Sequence, residues 1–116
     1  NNIINKLNLD NVIQFSGEDW WPRIDLKDNR IDSKYLLALL RQEFCKNGLL
    51  IASSLNLCFS HTSEFVISES ISRVENALKS ILIAINSNKP KNYLEGDVVF
   101  SDFNVRNKLR DFHYDN

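Results

Sequence analysis

Residues 41–62 read RQEFCKNGLLIASSLNLCFSHT, and our expectations for the fold start from this stretch. It begins in the last turns of a predicted amphipathic helix, which Gly48 ends because glycine adopts a left-handed backbone at little cost. Two short apolar runs follow, at 49–51 and 55–59, and we predict that both are strands, the first buried on both sides. At Thr62 a long second helix is predicted to begin. No nucleophile, metal-cage or phosphate-loop pattern occurs within the stretch.

The two flanking helices are predicted from apolar periodicity. Asp32 or Ser33 is expected to cap the first helix, because a short polar side chain can accept a bond from an unpaired amide of the first turn. The second helix becomes apolar on every side over residues 81–85, so we expect the C-terminal tail or a partner to cover it. Apolar residues that share one face are Leu36, Leu40 and Phe44 in the first helix, and Ile67, Ile71, Val74, Leu78, Ile81 and Ile85 in the second.

The remaining segments complete a predicted α+β fold. Residues 1–11 are expected to be an irregular lead-in, and strands at 12–15 and 23–26 are predicted to form a hairpin around a turn at 16–19. A further edge strand or strap is predicted at 97–105. The predicted architecture is a small, mostly antiparallel sheet of three to four strands packed against two main helices. Residues 1–116 are expected to form one domain, with 86–116 as a tail strap.

Composition excludes several classes of function. A chain of 116 residues with 43% hydrophobic and 25% charged residues is typical of one globular domain. A formal net charge of −1 gives no electrostatic basis for binding nucleic acid or an anionic membrane. Cys45 and Cys58 lack metal or redox spacing, which favours small buried side chains in a reducing compartment. Since no signal peptide or membrane-spanning run is present, we expect a cytoplasmic location.

The chain begins with Asn1 and contains no methionine. We therefore expect it to be the C-terminal fragment of a longer protein. The alternative is a complete protein whose initiator was removed by processing.

Residues that could carry chemistry are few and scattered. The three glycines, at 17, 48 and 96, are too far apart for a phosphate-binding loop. His61 and His113 do not stand at ligand spacing from each other or from a cysteine. The serines at 53, 54 and 60 lack the glycines of a nucleophile elbow. Glu18 and Asp19 are expected to be solvated turn residues, so the chain is a poor candidate for a self-contained enzyme.

Residues 41–65, RQEFCKNGLLIASSLNLCFSHTSEF, resemble the C-terminal small domain of class III pyridoxal-phosphate-dependent aminotransferases of the glutamate-1-semialdehyde aminomutase-like branch. In that family a helix ends at a glycine, a short strand follows, and a second strand leads into an Ala-His-Thr helix start. Ser60-His61-Thr62 matches that start. Residues 21–24 (WPRI) are similar to the preceding strand and 94–96 (LEG), more faintly, to the tail. The resemblance covers residues 12–85.

The resemblance implies a domain that forms part of the substrate-cleft wall in a homodimeric aminotransferase. In that family the Schiff-base lysine, the pyridinium-binding aspartate and the phosphate contacts belong to the large domain. Pyridoxal 5′-phosphate is therefore expected in the parent enzyme and not on this chain alone. Ser54 and Asn56 are the implied cleft-facing residues. Asn56 stands where other class III branches have a carboxylate-binding arginine. The aminomutase's gating loop, with its glutamate, has no counterpart between Ser53 and Phe59. Both departures favour a transaminase of another substrate over the mutase.

Trp20 and Trp21 are interpreted either as core residues or as anchors of an interface with a larger domain or second subunit. Two other functions remain open. One is a free-standing α+β interaction or small-ligand-binding domain unrelated to pyridoxal phosphate. The other is a small hydrolase whose acid and base meet only in the fold.

Overall fold

The computed structural model of the chain describes residues 2–51 and 62–98. The fold of these residues is α+β, as predicted, with one two-stranded antiparallel sheet. Its elements, in chain order, are α1 (Asn2–Lys6), β1 (Ile13–Glu18), β2 (Trp21–Leu26), α2 (Ser33–Lys46), α3 (Glu64–Asn86) and a 3-10 helix (Pro90–Tyr93). None of the helices in the described ranges is long and apolar enough to cross a membrane.

The predicted hairpin is present, but its turn is shorter than expected. β1 and β2 pair in continuous register from Ile13 opposite Leu26 to Glu18 opposite Trp21, leaving only residues 19–20 as the turn. The predicted turn at 16–19 was therefore wrong, because Ser16, Gly17 and Glu18 belong to the strand. Gly17 has a φ of +87°, so its positive backbone angle is used within the strand and not in the turn.

The N-terminal residues form a helix where an irregular lead-in was expected. Beyond the end of α1, Asn8 has a φ of +54°. The Leu9 amide donates to the Ile4 carbonyl at 2.9 Å and the Asn8 amide to the Asn5 carbonyl at 3.1 Å. These two bonds form a Schellman motif, in which Asn replaces the usual glycine. Leu9 and Ile4 are both buried, so this turn attaches α1 to the core.

Helix α2 has the ends that the sequence predicted. Asp32 is the N-cap, since its carboxylate accepts a bond from the Lys34 amide at 3.0 Å. At the other end the Gly48 amide donates to the Cys45 carbonyl and the Leu49 amide to the Phe44 carbonyl, both at 2.9 Å. Gly48 has a φ of +74°. The predicted glycine stop is thus confirmed as a second Schellman motif.

The predicted strand at 49–51 was wrong. These residues have extended or irregular backbone without strand pairing, and Leu50 is 91% exposed. Leu49 is apolar for a different reason. It follows the glycine of the Schellman motif, a position whose apolar side chain packs back on the helix. Leu49 does pack against the core. The second predicted strand, 55–59, lies outside the described residues, as do residues 99–105 of the predicted edge strand.

Helices α2 and α3 pack antiparallel, fixed by one arginine at each end. Arg73 of α3 donates from Nη1 to the Asn47 carbonyl at 3.0 Å. Arg30, ahead of α2, donates from Nη1 to Oδ1 of Asn86 at 3.1 Å. Because Arg73 is level with the end of α2, the first turns of α3 extend beyond α2. The shared core residues are Leu36, Leu39, Leu40, Phe44, Ala77, Leu78, Ile81, Ala84 and Ile85.

The predicted apolar stripe of α3 is buried only in its C-terminal half. Leu78, Ile81 and Ile85 are buried, whereas Ile71 is 50% exposed and Ile67 is also exposed. The physical reason is the overhang, since α2 ends level with Arg73 and does not reach the turns of α3 that precede it.

The apolar end of α3 is covered on one side by the chain itself. Ile81, Ala84 and Ile85 are buried, and Pro90 of the 3-10 helix is buried too. Ile83 on the opposite side remains 63% exposed. The C-terminal tail or a partner was expected to cover this end of α3. The tail covers one side of it, and Ile83 on the other side remains exposed.

Asp28 and Arg30 brace the connection from β2 to α2. Arg30 donates from Nη2 to Oδ2 of Asp28 at 2.6 Å and from Nε to Oδ1 at 3.0 Å. The side chain of Asp28 is almost completely covered. The bond from Arg30 outweighs the effect of burial and lowers the pKa of Asp28 below its ordinary value of 3.8. The same guanidinium holds Asn86, so this pair ties the connection to the end of α3.

The glycine stop gives a first testable prediction. We expect Gly48→Ala to lower the free energy of unfolding by about 1–2 kcal/mol, because an L residue is strained at positive φ. The new Cβ would also meet the Arg73 guanidinium. Gly96→Ala is the matched control, since open space surrounds a Cβ at that position. Urea unfolding measures both variants, and equal midpoints would contradict the assignment.

A second prediction concerns acid stability. Since the folded pKa of Asp28 is lowered, its carboxylate stabilises the fold above the unfolded pKa, near 4, and this stabilisation is lost as pH falls through the folded pKa. We expect Asp28→Asn to lower the urea midpoint at pH 7 and to flatten the decline between pH 5 and 2. Asp19→Asn, in the exposed hairpin turn, removes the same charge as a control. A decline that stays as steep in Asp28→Asn would reject the pair as its source.

Candidate functional site

The site residues named from the sequence cannot be placed in the fold. Ser54 and Asn56 lie outside the described residues, and so do Cys58, His61 and His113. The structure does fix both ends of the segment that carries Ser54 and Asn56. It leaves α2 through the Gly48 motif and enters α3, whose N-cap is Ser63.

The described residues form an apolar cleft that the sequence analysis did not identify. It has a volume of about 240 Å³ and lies between α1, the hairpin, α2 and α3. Leu40 and Leu78 form part of its floor and are buried, whereas Phe15 and Ile71 in its wall are partly exposed. Ten of its eleven lining residues are apolar, and Ser70 is the exception. The cleft is thus suited to apolar side chains or small apolar molecules.

An ion-paired triad holds α1 against α3 beside this cleft. Glu75 of α3 pairs with Lys79 at 3.1 Å and with Lys6 of α1 at 3.2 Å. The hydrogen bond from Lys79 has the largest effect on the Glu75 carboxyl and that from Lys6 the next largest, and both lower its pKa. All three side chains are in contact with solvent, so the triad positions α1 and adds little stability.

A second, more open groove continues from the cleft along β1. Its volume is about 330 Å³, and it shares Ile4, Ile13 and Phe15 with the cleft. Its polar residues come from α1, the following turn and β1: Asn5, Asp10, Asn11 and Gln14. The Gln14 amide donates to the Asp10 carbonyl at 3.1 Å, so it is already engaged. The groove therefore offers mainly backbone and amide contacts at one mouth of the cleft.

The chemistry available in the described part of the chain is limited. No polar or charged residue there is buried as a whole, although the side chain of Asp28 is covered and paired with Arg30. No group of three or more His, Cys, Asp or Glu side chains in the described residues could hold a metal ion. A pyridoxal phosphate site needs a shielded lysine amine, a carboxylate for the ring nitrogen and donors for the phosphate. Every lysine among the described residues is exposed, and Lys6, Lys46 and Lys79 also pair with carboxylates. The described residues therefore do not fit this cofactor.

The hairpin carries a pair of exposed tryptophans. Trp20 and Trp21 are 68% and 51% exposed. Their rings stack on each other with centroids 6.2 Å apart and an interplanar angle of 29°. Of the two interpretations made from the sequence, a core position is wrong for the described structure. The exposed position is the one that an interface anchor requires.

The sequence contained part of the signal for the cleft. The strand alternation that places Ile13 and Phe15 on one face of β1 was readable. The contribution of α1 was not, because five residues are too few to show a helical period. Comparison of the chain with protein-family models, with curated proteins and with solved structures finds no match in any of the three.

The cleft gives a prediction about the two halves of α3. We expect Leu78→Ala to cost about 3 kcal/mol of unfolding free energy, because it opens a cavity beneath the cleft. Ile71→Ala should cost less than about 1 kcal/mol, since its side chain is already half exposed. Urea unfolding of the full chain compares the two. Equal losses would show that Ile71 is covered in solution, contrary to this description of the wall.

Proposed function

We propose that this chain is the C-terminal small domain of a class III pyridoxal-phosphate-dependent aminotransferase, similar to the glutamate-1-semialdehyde aminomutase branch. In this proposal the parent enzyme transfers an amino group between an amino donor and an aldehyde or keto acceptor. The chain contributes a wall of the substrate cleft and is inactive alone. The large domain of the same protein holds pyridoxal 5′-phosphate, and the enzyme is a cytoplasmic homodimer.

The observation that carries the proposal is the arrangement around Gly48. The resemblance requires a helix that ends at a glycine and a second helix that starts at the Ala-His-Thr motif, here at Thr62. In the structure α2 ends in a Schellman motif at Gly48, and α3 begins at Glu64, two residues later than expected. The hairpin that precedes α2 includes residues 21–24, which the resemblance identifies with a family strand. The order hairpin, helix, glycine stop and helix agrees with the resemblance, whereas the short strand that the resemblance puts directly after Gly48 is absent at 49–51.

The proposal extends the sheet beyond the two strands described. It places a third strand at 55–59, in the connection between α2 and α3, which gives the lower end of the three to four strands expected of an aminotransferase-like small domain.

The exposed apolar surface supports a domain that belongs to a larger assembly. Trp20, Trp21, Phe65 and Ile67 are exposed in the described structure. Large aromatic side chains are enriched at protein interfaces, where they anchor in pockets of the partner. In the proposal these residues meet the large domain or the second subunit.

In the proposal, Ser54 and Asn56 lie in the wall of the parent enzyme's substrate cleft. An arginine binds a carboxylate through two parallel charged hydrogen bonds, which the neutral amide of Asn56 cannot reproduce. We therefore propose substrates that present a neutral donor or acceptor, and no carboxylate, at this position. An amino aldehyde, an amine or a similar carbonyl compound fits that condition.

A free-standing interaction or small-ligand-binding domain is the second candidate. The apolar cleft and the exposed tryptophans favour it equally well. The volume of the apolar cleft, about 240 Å³, is below the usual range for drug-sized ligands. In this second candidate the cleft therefore binds a small apolar molecule or a side chain of a partner protein. This candidate differs from the aminotransferase in requiring no pyridoxal phosphate.

The complete gene product tests the proposal. We expect the purified protein to show the visible absorbance of bound pyridoxal phosphate. It should also transfer amino groups from amines or amino aldehydes to a keto-acid acceptor. Borohydride reduction followed by peptide mapping should place the cofactor on a lysine outside residues 1–116. No bound cofactor, or a cofactor on a lysine within these residues, would reject the proposal.

The cleft-wall assignment is tested in the same protein. We expect Asn56→Ala to raise KM for the amino substrate about tenfold, the size of one lost hydrogen bond to a substrate group, with cofactor absorbance unchanged. Asn76→Ala is the matched control, because Asn76 is exposed on α3. Steady-state kinetics measure both, and unchanged kinetics in Asn56→Ala would remove Asn56 from the wall.

A further inference from the structure

The segment 89–95 crosses from α3 to the outer face of α2, and we call it the latch. Its first turn is the 3-10 helix Pro90–Tyr93, which packs against α3 with Pro90 buried. Leu94 is partly buried against the core. Within the latch, the Asn92 amide bonds to the Lys89 carbonyl at 3.0 Å and the Leu94 amide to the Lys91 carbonyl at 3.2 Å.

Polar contacts from one face of α2 hold the latch. The Gln42 amide group donates from Nε2 to the Tyr93 carbonyl at 2.8 Å and accepts the Glu95 amide on Oε1 at 2.8 Å. Lys46 pairs with the Glu95 carboxylate, and this bond raises the pKa of Lys46. Lys91 of the latch lies 4.0 Å from the centre of the Tyr35 ring.

The two bonds to Gln42 are the specific part of this contact. The side-chain amide offers a donor and an acceptor at a spacing that matches the backbone of residues 93–95, much as a neighbouring strand would. Lys46 and Lys91 act differently, since their partly or fully solvated charges attract without fixing a register and are weakened by salt. Gln42 is therefore the residue that sets where the latch lies.

We propose that the latch is a releasable cover, which opens as a unit while α2 and α3 remain folded. Two apolar residues, Pro90 and Leu94, anchor it, and its remaining contacts are polar and near the surface. A short surface segment of this kind opens at lower free energy than the core. Pro90 lies against α3, and the buried side of the α3 end is apolar. Opening the latch uncovers part of this apolar surface. Gln42 thus controls whether the end of α3 is closed or open.

Hydrogen exchange of the full chain, followed by mass spectrometry, tests the proposal. Peptides covering 89–95 should exchange faster than peptides from the core of α2 and from the second half of α3. Gln42→Ala should accelerate exchange of the latch about tenfold and leave the core peptides unchanged. Gln14→Ala is the matched control, because Gln14 bonds only locally to Asp10.

Two further measurements complete the test. Glu95→Gln should accelerate latch exchange in low salt and remove most of its salt dependence. Gln42→Ala should also increase binding of a fluorescent apolar dye without loss of helical circular dichroism. If the latch exchanges in step with the α2 core, or if Gln42→Ala accelerates both equally, the latch belongs to the global unfolding unit and the proposal is wrong.

Discussion

The hydrogen bond from Arg73 to the Asn47 carbonyl, across the Gly48 turn, fixes how the two main helices meet. The last carbonyls of a helix have no partner inside it. Here the Schellman bonds satisfy the carbonyls of Phe44 and Cys45, and Arg73 bonds to the carbonyl of the C-cap residue Asn47, so the end of α2 is tied to one point on α3. The missing side chain of Gly48 makes this approach possible, because a Cβ there would meet the guanidinium. At the opposite end, Arg30 joins Asp28 to Asn86.

The position of that tie accounts for the cleft. Because the end of α2 lies level with Arg73, the first turns of α3 extend past it and their apolar stripe is only partly covered. The short helix α1 and the hairpin fill some of this space, which leaves an opening lined by residues such as Phe15 and Ile71. On the far side of α2 the chain returns as the latch, held by Gln42. One flank of the helix pair is therefore covered by the tail, whereas the other presents an apolar surface.

The proposed function rests on the resemblance in residues 41–65, and the asymmetry of the helix pair is compatible with it. A cleft-wall domain must present a segment between two fixed helix ends and a surface for its larger neighbour. The Gly48 turn ends α2, α3 begins directly after Ser63, and the stacked tryptophans of the hairpin provide exposed aromatic area. The latch is independent of that function, since it depends only on contacts between α2 and residues 89–95.

Local interactions explain what the sequence determined by itself. The Asp32 cap, the glycine stop and the hairpin depend on residues close in the chain, and a few side-chain types satisfy each of them. Tertiary structure decided the rest. Residues 49–51 were expected to be a strand because they are apolar, but Leu49 completes a helix end and Leu50 is exposed. The stripe of α3 showed which face is apolar, yet only the packing against α2 determined that Leu78 is buried and Ile71 is not, because burial depends on where a second helix ends.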